Sequence, residues 1–155
     1  RGVERRQELV GTARGVTIVD DFAHHPTAVR VSIEALRMRF PGRRLWAIFE
    51  PRSNTCRRKI FQAPLADALG RADRAIVGEV IAKPQDPVDA EDMFSTEELA
   101  ATLQSAGHSV EAGLSPPQIA DLLDKDCLAG DVVLIMSNGP FGGLPRKVMA
   151  VLDHV

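Results

Sequence analysis

Two apolar runs, Leu45-Trp-Ala-Ile-Phe49 and Val132-Val-Leu-Ile-Met136, constrain most strongly how this chain can fold. Each has strand length and no polar position, so both faces of the strand must be covered. A sheet with one wet face would alternate; a parallel sheet between two helix layers would not. Helical patterns do separate the strand candidates. Val29, Ile33, Leu36 and Phe40 share one face of a helix opened by Pro26 and stopped by Pro41-Gly42. Phe61, Leu65, Leu69 and Ala72 mark a second, which Pro64 delays or bends. Ser95-Thr-Glu-Glu98 is a capping-box pattern leading a third to about Ala106, ended by Gly107. Ser115-Pro-Pro-Gln118 opens a fourth through Ile119, Leu122 and Leu123, and Val148, Val151 and Leu152 belong to the last. The other strand candidates are Arg6–Val10, Val16–Asp21, Ala75–Val80 and His108–Glu111. The first two are joined by a turn-rich Gly11–Gly15 link, as in a hairpin. Strands alternating with helices predict an α/β fold: a three-layer, mostly parallel sheet with an antiparallel N-terminal strand.

At 155 residues the chain, 1–155, is expected to be one domain with a substantial core. A formal charge of −2 gives no general pull toward nucleic acid or an anionic membrane, although Arg1/Arg5/Arg6, Arg43/Arg44 and Arg52/Arg57/Arg58 could make local anion sites. No apolar run reaches the ~18–20 residues of a membrane span. Cys56 and Cys127 have no metal spacing, which suits a reducing cytosol, and the polar-loop thiol of Cys56 is read as a bystander. The Arg-Gly-Val-Glu start, with neither an initiator Met nor a signal pattern, is expected to be an internal cut in a longer chain. Lys83–Asp92, with two prolines and four carboxylates, reads as an exposed loop.

Three segments follow strands and precede helices: Asp20–Thr27, Pro51–Arg58 and Ser137–Gly143. In a parallel sheet all strand carboxyl ends share one edge, so these segments should converge there, where ligands bind. Asp20-Asp21 could be solvated strand-end charge, could bond a ribose hydroxyl, or could help hold a divalent cation. Adjacent histidines rarely face one ion and no third His lies nearby, so His24-His25 suit a polar ligand better than zinc. Arg52, directly after its strand, is best placed to grip a carboxylate through two hydrogen bonds. The Ser-Asn-Gly-Pro-Phe-Gly-Gly loop fits neither nucleotide-binding glycine motif, and a turn needing positive φ explains much of it.

Asp20-Asp-Phe-Ala-His-His-Pro-Thr27 resembles the opening motif of the C-terminal domain of the Mur ligases, the ATP-dependent amide-forming enzymes of peptidoglycan synthesis. Phe49-Glu-Pro-Arg-Ser-Asn-Thr55 and Met136-Ser-Asn-Gly-Pro-Phe-Gly-Gly143 fit one branch best. That branch, the muropeptide-recycling ligases, attaches L-alanyl-γ-D-glutamyl-meso-diaminopimelate to UDP-N-acetylmuramate. The resemblance runs from about Arg5 to the C-terminus and implies a Rossmann-like domain that closes over a central ATPase domain. The family works through an acyl phosphate, with ATP and Mg²⁺ held mainly by that central domain. By position, Arg6 and Asp21 match contacts to the nucleotide. His24 and Arg52 match positions facing the acceptor, as do Ser137 and Asn138, and His25 and Asn54 lie in the same two motifs. The alanine-adding branch has a longer loop bearing a second arginine where Asn54-Thr55 stands here, which fits a larger acceptor. The phosphate-binding Gly-Lys-[Ser/Thr] loop and the UDP-sugar domain lie outside this sequence, so the isolated domain is expected to be inactive and to need the N-terminal and central domains as partners. Two alternatives stay open: the alanine-adding ligase, and a non-catalytic module that binds a peptide or nucleotide.

Overall fold

The computed structural model describes residues 7–51, 61–80 and 95–153. The strands are β1 (Glu8–Ala13), β2 (Val16–Asp21), β3 (Leu45–Phe49), β4 (Arg74–Gly78), β5 (Ser109–Leu114) and β6 (Val132–Met136). They form one sheet in the order β1-β2-β6-β3-β4-β5. Only β1 pairs antiparallel, with β2; every other neighbour pair is parallel. The helices are α1 (Pro26–Arg39), α2 (Gln62–Leu69), α3 (Thr96–Ser105), α4 (Pro116–Asp126) and α5 (Leu144–Asp153). The mostly parallel, three-layer architecture is the expected one. No helix among the described residues is long and apolar enough to cross a membrane.

The uniformly apolar strands are covered on both sides. In β6, Val132, Leu134 and Met136 join one core with Val29 and Ile33 of α1, Leu65 and Leu69 of α2, and Leu99 and Leu103 of α3. Val133 and Ile135 join the opposite core with Ile119 and Leu123 of α4 and Leu144, Val148 and Leu152 of α5. β3 divides in the same way, Leu45, Ala47 and Phe49 to the first core and Trp46 and Ile48 to the second. Period-2 geometry on a two-sided sheet requires this split.

Three local expectations are refined. The hairpin turn is only Arg14-Gly15, both with positive φ (54° and 76°), and Gly11-Thr-Ala13 continues β1 after a bulge. A two-residue turn of this hand matches the twist of the strands it joins. Ser95 caps α3 by accepting from the Glu98 N–H at 3.1 Å, but the reciprocal bond is replaced. The Ser95 N–H donates to Gln62 Oε1 and Gln62 Nε2 donates to Glu98 Oε1, so one glutamine ties α2 to the start of α3. Ser115 and Gln118 do complete a capping box on α4. Pro64 falls in the first turn of α2, which therefore starts at Gln62.

The amino edge of the sheet is closed by charge. Asp131, 4% exposed, accepts from Arg44 Nη2 at 2.7 Å, Trp46 Nε1 at 2.9 Å and the Leu128 N–H at 2.9 Å. Burial alone would raise its pKa, but the Arg44 guanidinium and the Leu128 and Trp46 donors outweigh it and hold the carboxyl below its ordinary value. Asp73 behaves alike: burial is outweighed by Arg37 and the Leu45 N–H. Arg43 donates to the Gly130 carbonyl at 2.6 Å and to Thr17 Oγ1. The Arg43/Arg44 pair thus serves the interior of the fold and not an external anion. Burial pushes the Cys127 thiol up to about 12, so it stays protonated.

Candidate functional site

β2, β6 and β3 lie side by side, so the segments after Asp21, Met136 and Phe49 leave the sheet at one edge. Backbone bonds hold them together there: the Ser137 N–H donates to the Asp21 carbonyl at 3.1 Å, and the Glu50 N–H to the Met136 carbonyl at 3.0 Å. The convergence expected of the three loops is met as far as Pro51; Arg52, Asn54 and Cys56 fall outside the described residues, as do Arg6 and the 83–92 loop.

Asp21 is buried, and its carboxylate works first on the chain itself. Oδ1 accepts from the Ala23 N–H at 2.8 Å; Oδ2 accepts from Ser32 Oγ at 2.8 Å and from the Gln7 N–H at 3.2 Å. A carboxylate offers about four lone-pair sites, so roughly one remains for a ligand. The reading of Asp21 as solvated strand-end charge does not fit this burial. Asp21 floors a cleft of about 580 Å³ whose walls include Gln7, Phe22, His24, Val31 and Ser32.

The two histidines have different jobs. His24, half-buried, has Nδ1 3.0 Å from the Phe22 carbonyl, an oxygen that can only accept. That bond requires the proton on Nδ1 and leaves Nε2 as an acceptor for a ligand. His25 is the exposed N-cap of α1, and its Nδ1 accepts from the Thr27 N–H at 3.3 Å. Its proton is therefore on Nε2, so adjacent imidazoles present opposite hydrogen-bonding character. Among the described residues no cluster of three or more His, Cys, Asp or Glu could hold a metal ion.

Ser137 is fully buried; its Oγ donates to Glu50 Oε1 and accepts from the Gly139 N–H at 3.0 Å. The neighbouring Asn138 Oδ1 is buried without a hydrogen-bond partner, a state that costs about 1–3 kcal/mol. The loop then runs through three left-handed residues, Phe141, Gly142 and Gly143, at φ 49°, 60° and 72°. Positive φ at the glycines bears out the turn reading, but Phe141 carries a side chain in that region. Its buried ring anchors the loop over Gly78, where an added Cβ would lie 3.0 Å from Phe141 Cε1. Non-glycine residues in this conformation persist where the surroundings enforce them, often at functional sites.

The sequence reading missed three contributors to this edge. Ser32 bonds Asp21, Glu50 holds Ser137, and exposed Phe22 and Val31 make an apolar wall of the cleft. Val31 was detectable as an apolar residue off the 29-33-36 stripe. Ser32 was not, because a serine inside a helix has no distinctive spacing.

The family model described as Mur ligase, glutamate ligase domain, matches residues 5–139. The UDP-N-acetylmuramate–L-alanyl-γ-D-glutamyl-meso-2,6-diaminoheptandioate ligase of Escherichia coli K12 is 39% identical over 146 residues, covering 94% of this chain and 29% of that protein. The UDP-N-acetylmuramate–L-alanine ligase of Variovorax paradoxus S110 is 35% identical over 163 residues, 97% of this chain and 32% of that one. The crystal structure of a murein peptide ligase from Psychrobacter arcticus 273-4 superposes with a TM-score of 0.82 at 32% identity, covering 99% of this chain and 31% of that chain. The chain therefore spans about a third of the length of the proteins it matches. With this sheet order, the described starts of these three motifs at one edge and a family match over most of its length, the chain belongs to the Mur ligase family as its C-terminal, glutamate ligase domain.

Proposed function

We propose that this domain binds the acceptor and closes over the nucleotide in a three-domain, ATP-dependent ligase that joins L-alanyl-γ-D-glutamyl-meso-diaminopimelate to UDP-N-acetylmuramate. The observation that carries the reading is the single sheet edge where Asp21, His24, Glu50, Ser137 and Asn138 converge in a chain 39% identical to a ligase of that name. In this reading Asp21 and Arg6 face the nucleotide, while His24, His25, Arg52, Asn54, Ser137 and Asn138 face the acceptor. Among the described residues no group of three or more His, Cys, Asp or Glu could hold a metal ion. In this reading Mg²⁺ and the phosphates of ATP belong mainly to the central domain. The domain's contribution is positioning: it holds an amine against an activated carboxyl, which raises effective molarity.

The test is steady-state kinetics of the full-length protein with tripeptide and with L-alanine as acceptors. Tripeptide should be strongly preferred; a preference for alanine would favour the alanine-adding ligase, whose Variovorax paradoxus representative is 35% identical. Arg52→Ala should raise the tripeptide KM about 10–100-fold, the loss of a charge-assisted grip, with little change in the ATP KM. Asp21→Asn should do the reverse. Asn keeps the shape and one acceptor, whereas Ala frees the Ala23, Ser32 and Gln7 donors together; because the amide NH2 must face either the Ala23 or the Gln7 N–H, a melting curve accompanies the kinetics. Equal changes in both KM values would count against the role assignments.

A further inference from the structure

Among the described residues, two acceptors at the carboxyl edge have no donor to meet them. Glu50 is half-buried and immediately follows β3, and its Oε1 takes the Ser137 hydroxyl proton. Among the described residues no hydrogen bond or ion pair reaches its Oε2, and no cation neutralises the carboxylate. One residue beyond Ser137, Asn138 Oδ1 is a second acceptor without a donor, and it is buried. Asn138 Oδ1 is the buried acceptor that lacks a donor, while Glu50 Oε2 is open to solvent and unbonded, so a ligand rich in N–H donors would satisfy the first and be reached by the second. A neutral hydroxyl brings one donor, whereas an ammonium brings three together with the compensating charge.

We infer that Glu50 is a specificity-determining residue that receives an amino group of the acceptor, as its ammonium, on Oε2. This rests on the preceding proposal that the acceptor binds at this edge. The Ser137 bond sets the other half of the device. By occupying Oε1 and gathering the Gly139 N–H, Ser137 holds the carboxylate by one oxygen and leaves Oε2 available. The charge draws a cationic amine toward this end of the sheet.

Glu50→Gln in the full-length enzyme separates these parts, because the amide oxygen can still accept from Ser137 while the charge is gone. The acceptor KM should rise about tenfold, the size of losing one charge-assisted hydrogen bond. The KM values for ATP and UDP-N-acetylmuramate should stay put and kcat should change by less than about twofold. Glu50→Ala, which also releases Ser137, should lower kcat as well. Wild-type kinetics in Glu50→Gln, a parallel rise in the ATP KM, or an increased Mg²⁺ requirement would each overturn the assignment. So would a Glu50→Gln protein melting far below the wild type, since the charge would then serve the fold. A wild-type enzyme that ligates neither tripeptide nor alanine defeats the preceding proposal before any variant is compared. An active wild type with an indifferent Glu50→Gln defeats only the Glu50 assignment.

Discussion

The two edges of this sheet are built from the same residue types and satisfy them differently. At the amino edge, Asp131 is met by Arg44, Trp46 and Leu128, and the Trp46 ring lies under the guanidinium of Arg74 at 4.3 Å. At the carboxyl edge, Glu50 and Asn138 each keep an acceptor with no donor among the described residues, large apolar side chains stay exposed at Phe22 and Val31, and Phe141 holds a left-handed backbone. Matched charge consolidates a fold; an unmatched buried acceptor and exposed apolar surface are features found where ligands bind. One sheet can do both because β2 to β6 run parallel, sending the loops that precede these five strands to one end and the loops that follow them to the other.

The sharpest way to break this contrast is Asp131→Ala. It strands the Trp46 and Leu128 donors and leaves Arg44, itself partly solvated, without its carboxylate. Chemical denaturation should show a loss of about 2–4 kcal/mol with the acceptor KM unchanged. A loss under about 1 kcal/mol would remove the amino edge as the consolidated one. Acid titration tests the same group by sign. Its folded pKa lies below the unfolded carboxylate value of about 3.9. Its stabilisation is therefore fully present above that value and is lost as pH falls through the lower, folded one. Asp131→Asn should flatten the acid limb of the stability curve below about pH 4, and an unaltered limb would assign acid unfolding to other groups. The smallest effect is expected at the other edge. His25→Asp places a stronger N-cap and a negative charge at the start of α1 and should stabilise by about 0.5–1 kcal/mol, read as a higher Tm. It should also weaken acceptor binding if the Nε2–H of His25 is used there; a variant both more stable and fully active would make His25 a cap and nothing else.

The fold was legible because its strongest signal, uniformly apolar strands separated by periodic helices, follows from burial alone. The candidate site was legible only in its placement: the convergence of the segments after β2, β6 and β3 follows from strand direction, and their motifs marked the family. What could not be read was the division of labour among polar side chains. Nothing in His24-His25 says that one ring bonds the preceding loop while the other caps a helix. Nothing in Ser95–Glu98 reveals that Gln62, distant in sequence, takes the backbone donor a capping box reserves for its own glutamate. Arg43 and Arg44 look like an anion site until Asp131 and Gly130 are brought beside them. Such partners are chosen by tertiary geometry, which local pattern does not encode.

The placement of Trp46 has an optical consequence. It is the only tryptophan in a chain without tyrosine, fully buried and hydrogen-bonded to Asp131 at the edge away from the cleft. Its emission will follow unfolding of the domain, above all loss of the Asp131 cluster, and will be almost blind to what occupies the opposite end. The molecule thus carries its own fluorescent gauge of integrity, and a tryptophan introduced at Phe22 would add an independent gauge of occupancy.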